Sequence, residues 1–344
     1  MTGARVPEQA STSAGLDGVP DGAATPGVTP APVAVRIRIA IAAIAGAVAV
    51  LLVLFHEHSY PLAFDIDQSF AGMRALGAHQ DPYAVIGPTG PAFLWPWKLF
   101  YPVPGLLLSA PVAWLPATLG RSIVLGGSSA WLAYRLSETD PWRLVTLMSG
   151  PFISAMLIGC WEPTMLAAAM TPGAAIFYLV KPNEGLAFAI GESHIRRPVV
   201  WVGFAAAAAL LIASIIVWPE WIGHWRAALK TGEHFTAPIF HPGGVLVLAA
   251  LVKWRRPEAR MLATLACVPQ TMWPYASLPL FLVPRTRTEF LGLAALSYIS
   301  LAVLHIYKQA PWADEAQHIG TAITLSLYLP CLIMVLRRPN ASPV

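Results

Sequence analysis

Charge is scarce in this chain. Only 12% of its 344 residues are Asp, Glu, Lys or Arg, about half the quarter or so that covers the surface of a soluble domain. Cysteine is scarcer still. Cys160, Cys267 and Cys331 lie in or beside apolar segments with no paired spacing. They therefore read as small buried hydrophobes, not as a disulfide framework or a metal site. No metal-ligand spacing such as His-Glu-x-x-His occurs among the histidines, and no internal repeat stands out. The net charge of +4 comes from short clusters at the ends of apolar runs. That placement orients a chain in a bilayer and does not argue for nucleic acid as a partner.

What the chain has in excess is apolar sequence: 56% of residues are hydrophobic and mean hydropathy is +0.59. The excess is segmented. Residues 38–55, 198–217 and 317–336 are runs of spanning length, long enough for a hydrocarbon core of roughly 30 Å. Three such runs cannot share one soluble core. The expected fold is all-α, a polytopic transmembrane helical bundle of roughly 10–12 membrane segments. Further spans are expected near 103–118, 120–134, 143–159, 163–180, 242–254, 259–272, 275–284 and 289–306. Several are short or broken by Pro and Gly, so they read as tilted, broken or re-entrant. Irregular backbone at membrane depth survives only inside protein or beside a water-filled cavity, so the interruptions point to a cavity.

Residues 1–33 are rich in Gly, Pro, Ala, Ser and Thr and read as a disordered tail. The transmembrane domain is expected over 34–338, with a short C-terminal tail at 339–344. The first apolar run reads as a retained anchor. Arg36 and Arg38 place the N-terminus in the cytoplasm, and Arg196/Arg197, Lys253/Arg255/Arg256/Arg260, Arg285/Arg287 and Arg337/Arg338 fit the same side. The loops 56–103, 218–241 and 307–316 then face outward from a cell (inner) membrane. Parity requires one short or re-entrant crossing between Lys181 and Glu192.

The most informative stretch runs from Phe64 to Tyr83. Ile66, Phe70, Met73 and Leu76 recur on one helical face, with Gln68 and Arg74 off it. That pattern predicts an interfacial helix in the first outer loop, begun at Asp65 and ended by Asp81-Pro82.

Here the chain resembles the GT-C glycosyltransferases, and within them glycosyltransferase family 87, the polyprenyl-phosphate-mannose-dependent mannosyltransferases and their relatives. Asp65, the 66–78 helix and Pro82-Tyr83 match the family's first outer loop in order and spacing. Tyr101-Pro102-Val103-Pro104, Pro111 and Leu115-Pro116 resemble its Pro-rich approach to the second span, and Lys181-Pro182 its Lys-Pro element. Val268-Pro269-Gln270, Tyr275 and Leu278-Pro279 are similar to late spans of some relatives. The likeness covers roughly residues 60 to 330. The chain departs from the pattern after Gly159, where Cys160-Trp161-Glu162 replaces a frequent Gln, and at Ser69 before Phe70.

The resemblance implies transfer of a hexose, mannose in the family, from a polyprenyl-phosphate donor to a lipid or glycan acceptor. It implies inversion at the outer face, with Asp65 as the general base. A carboxylate within reach of an attacking hydroxyl can take its proton, and a departing lipid phosphate needs no strong acid. The plainer reading of Asp65 is a helix N-cap. Asp67 points to another face and is the second candidate base. Asp-x-Asp is also the metal motif of nucleotide-sugar enzymes, but one such pair is a weak signal, so no metal and no cofactor is expected.

The donor phosphate needs cations on the same side. Arg226 and Lys230, Lys308, and His241 before Pro242-Gly243-Gly244 are candidates, with Tyr83 beside them from the loop motif. The plainer reading is contact with headgroups of membrane lipids. Trp95, Trp97, Trp218, Trp221 and Trp225 suit an interfacial belt or a sugar-stacking surface. Two other functions compete: a transporter or flippase of a lipid-linked or small polar substrate, and a catalytically inactive relative. A transporter normally carries ionisable residues at mid-span, and the clear spans carry few.

Overall fold

The computed structural model describes residues 33–59, 63–232 and 235–339. The expected tail thus lies outside the described residues except at position 33, as does the C-terminal tail beyond 339.

Four helices are long and apolar enough to cross a membrane: Val35–Ser59, Pro198–Val217, Arg287–Tyr307 and Trp312–Arg337. One further pair of helices is bent in the manner of a broken span or a re-entrant loop. Pro141–Met148 and Gly150–Ile158 meet at 52° around Ser149-Gly150-Pro151, where proline removes a helical N–H. The kink is satisfied from outside its own helix. Gly150 N–H donates to Ser297 Oγ at 2.9 Å, a partner of the kind that lets broken helices persist at membrane depth. This is a multi-pass membrane protein. The Val35–Ser59 helix buries only Arg38, Ala49 and Val53, leaving its other faces to lipid.

Between the long helices the segments are short: Glu162–Ala169, Ala175–Leu179, Pro182–Ile190, Gly244–Lys253, Pro257–Cys267 and Pro274–Leu282. Proline stands in the first turn of four of the six, where its missing N–H costs nothing.

The basic clusters converge on one end. Glu258 meets Arg256, Arg285 and Arg338 at 3.4, 3.0 and 2.9 Å, and Arg338 also meets Glu289 at 3.2 Å. Arg287 stacks on Trp142 at 3.6 Å. Arg135 pairs with Glu138 at 2.9 Å and Arg38 donates to Tyr134 O at 3.2 Å. Arg260 donates to Ile190 O at 2.8 Å and Arg135 to Met170 O at 2.9 Å. The opposite end is aromatic, with Trp97 packed on Trp312 at 4.7 Å and Tyr83 stacked on Trp218 at 5.9 Å. Pro182–Ile190 runs from the cavity described below to Arg260, which donates to Ile190 O, and at nine residues it is too short to cross a bilayer alone.

Two expectations need correction. The span expected at 103–118 is instead two short helices, Val103–Leu108 and Ala110–Ala113, because Pro104 and Pro111 restart the chain. They pack against Asp65–Gly77, where Ser109 Oγ donates to Ser69 O at 3.1 Å and Arg74 to Ala113 O at 2.6 Å. The Asp65–Gly77 helix does not lie on the surface. Eight of its 13 residues are buried, Gln68 among them, so its polar side also faces protein.

Candidate functional site

The site begins with the entry of the chain into the Asp65–Gly77 helix. Asp67 Oδ2 accepts the Phe64 N–H at 2.7 Å, so the helix start is closed by Asp67 from the third helical position and the N-cap alternative for Asp65 falls away. The Ile66 N–H donates to Gly159 O at 2.9 Å. Gly159 has φ +68°, and a Cβ there would lie 2.6 Å from Phe64. Only glycine lets Phe64 seat this closely, which brings Asp65 beside Cys160-Trp161-Glu162. Trp161 Nε1 donates to Ser69 Oγ at 3.1 Å and ties the two segments together.

Asp65 lines a cavity of about 420 Å³. Trp95, Trp97, Phe100 and Trp225 supply flat walls, and Glu162, Lys181 and Glu184 supply charge. Trp225 is held by a 2.8 Å bond from its Nε1 to Phe100 O. The volume and the aromatic walls suit a small polar ligand with apolar faces.

Both Asp65 oxygens are oriented. Tyr101 Oη donates to Oδ2 and Gln68 Nε2 donates to Oδ1 at 2.7 Å. Burial pushes the carboxyl up to about 6, against the opposing pull of Lys181 and Tyr101. Lys181 precedes the Pro182–Ile190 helix, pairs with Glu162 and lies 5.0 Å over the Tyr275 ring. Such a carboxylate can accept a proton from a bound hydroxyl near neutral pH.

The remaining expected site residues lie elsewhere. Asp67 is not available as a base. Arg121 holds it through bonds of 3.0 and 2.6 Å and reaches Glu57 at 2.6 Å, pinning the loop helix to the first span. Asp65 and Asp67 therefore diverge. Among the described residues no three His, Cys, Asp or Glu side chains form a group able to hold a metal ion. Arg226 and Lys230 are exposed and do not line the cavity, although their chain neighbours Trp225 and Leu229 do. Lys308 is exposed at the end of Arg287–Tyr307. His241 is 3% exposed with neither ring nitrogen bonded. It packs on Gly320, where any Cβ would collide with the ring. Tyr83 is buried and acts one step back, its Oη donating to Tyr101 O at 3.1 Å.

Glu162, Glu184, Gln68 and Tyr101 are the cavity groups that the sequence reading did not assign. Glu162 and Glu184 carried a usable signal, since each is an acidic residue set among apolar segments. No protein-family model, curated protein or solved structure matches the chain.

Proposed function

We propose that the protein is a membrane glycosyltransferase. It moves a hexose from a polyprenyl-phosphate carrier to a hydroxyl of a lipid or glycan acceptor. The observation that carries this reading is Asp65, oriented on both oxygens by Tyr101 and Gln68 on the wall of an aromatic cavity. In the proposed step an Asp65 oxygen takes the proton of the acceptor's hydroxyl as the acceptor oxygen attacks the anomeric carbon. The bond from that carbon to the phosphate oxygen breaks, the carrier leaves as polyprenyl phosphate, and the anomeric configuration inverts. A carboxyl with pKa about 6 is ionised at neutral pH and still basic enough to work. The convergence of the arginines on the far end supports a cytoplasmic basic end and an outward cavity. The resemblance to glycosyltransferase family 87 supplies the sugar class, mannose first.

The test uses purified protein with radiolabelled polyprenyl-phosphate sugars and a native lipid extract. Transfer of label to an acceptor is expected. Absence of transfer from every sugar in the panel overturns the reading.

One observation favours a second reading, a transporter or flippase. Glu162 and Lys181 form a buried ion pair, with Glu184 also buried, on segments too short to cross a membrane alone. Intramembrane charges of this kind mark substrate or proton pathways. Donor-dependent movement of lipid-linked sugar across sealed vesicles, without new glycosidic bonds, is its signature.

A further inference from the structure

The cavity carries an imbalance of hydrogen-bonding capacity. Gln68 is 3% exposed, Glu162 1% and Glu184 2%, and all three residues line the cavity. Gln68 Oε1, Glu162 Oε2 and Glu184 Oε2 have no donor. The Gln68 amide is oriented by its donation to Asp65, which leaves its oxygen as the acceptor. Among the described residues Glu184 receives no hydrogen bond at either oxygen. Buried polar groups are normally paired, so three acceptors orphaned around one cavity are matched by a ligand that brings several donors. A phosphate, which offers acceptors, is the wrong complement.

We infer that Gln68, Glu162 and Glu184 form a subsite for the hydroxyl groups of an uncharged sugar ring, with Glu184 as its specificity-determining residue. Each sugar hydroxyl donates one hydrogen bond while the ring's apolar face lies against an indole such as Trp95, Trp97 or Trp225. An ammonium group also supplies donors, and Lys181, paired with Glu162, is shared by three cavity carboxylates, so the amino glycoside in the experiment below separates a cation from a neutral ring. The inference deepens the glycosyl-transfer reading and rests on it for the sugar's role as a reactant. Sugar binding itself does not depend on transfer.

The experiment uses the full chain in lipid nanodiscs free of sugar detergent, with radiolabelled methyl mannopyranoside as the probe. Methyl 2-amino-2-deoxyglucopyranoside and its uncharged parent, methyl glucopyranoside, serve as competitors. Saturable binding of the neutral probe is expected. Glu184→Leu should weaken it about tenfold or more, since a site built to bond a hydroxyl loses that contact. Glu184→Gln keeps a donor and an acceptor and should stay within about threefold of the unmodified protein. If Glu184→Leu does not run as a single species on gel filtration, Gln68→Leu carries the same expectation. Unchanged affinity in a folded Leu variant overturns the subsite. So does an amino glycoside that outcompetes methyl glucopyranoside while Glu184→Gln loses as much as Glu184→Leu, which would make this a cation site. Binding of the neutral probe with no transfer from any lipid-phosphate donor overturns the transferase reading and leaves the subsite standing.

Discussion

The two ends of the molecule treat charge in opposite ways. At the basic end three arginines surround Glu258, and Arg338 reaches on to Glu289. At the cavity end Asp65, Glu162 and Glu184 share Lys181, which is already paired with Glu162. The first arrangement satisfies its own carboxylates and joins segments far apart in sequence. The second leaves acceptors over. Charge used for holding helices together is matched within the protein, and charge left unmatched beside a cavity is available to a ligand.

The largest expected effect is at Asp65. Asp65→Asn keeps the shape and leaves the Asp67 cap in place, so folding should be unchanged while transfer falls roughly 10²–10⁴-fold. Full activity in that variant would remove the distinction between the ends, because the cavity carboxylate would then have no chemical duty. The basic end should answer differently. Glu258→Ala leaves Arg256 and Arg338 without their shared partner and should cost about 3 kcal/mol of stability. Arg285, half-exposed, adds little. Thermal unfolding in detergent reads this loss, and the rate per folded molecule should not move. A stable Glu258→Ala with impaired turnover would couple the two ends.

A smaller effect comes from pH. The base must be ionised, and the Asp65 carboxyl is raised to about 6, so transfer should rise with pH through that value and level off above about 7. At pH 5 the rate should be about tenfold below the plateau. A profile already flat from pH 4.5 would mean that the working base is an ordinary carboxylate outside the cavity. The smallest effect is expected at Arg226. It is exposed and off the cavity wall, so Arg226→Ala should change the apparent donor KM by no more than about twofold. A tenfold rise would move the phosphate site to the cavity mouth and enlarge the functional end.

Much of the membrane architecture was legible in sequence. The runs at 198–217, 289–306 and 317–336 fall on Pro198–Val217, Arg287–Tyr307 and Trp312–Arg337, because a long uncharged run has few alternatives. Residues 103–118 have the hydropathy of a span yet form two short helices, because hydropathy does not separate a span from apolar helices that pack on a neighbouring helix. Leu106 is buried close to Gly72 of the loop helix. Asp65 could not be separated from Asp67 by local pattern, because the residue that claims Asp67 is Arg121, 54 positions away. Glu162 and Glu184 gained meaning only once Gly159 and Lys181-Pro182 had brought their segments to one cavity.

The short segments beneath the cavity have an electrical consequence. Glu162–Ala169 and Pro182–Ile190 are 8 and 9 residues long, so at 1.5 Å per residue they place roughly 12–14 Å between the cavity and the basic end. With the cavity open to solution on its own side of the membrane, as proposed, a transmembrane voltage falls mainly across that thin layer. A proton taken up at Asp65 can leave on the cavity side without crossing the steep part of the field. Transfer should therefore run at the same rate in polarised and depolarised vesicles. A carrier moving charge past Glu162 and Lys181 would instead gain or lose about 2.3 kcal/mol per charge for each 100 mV.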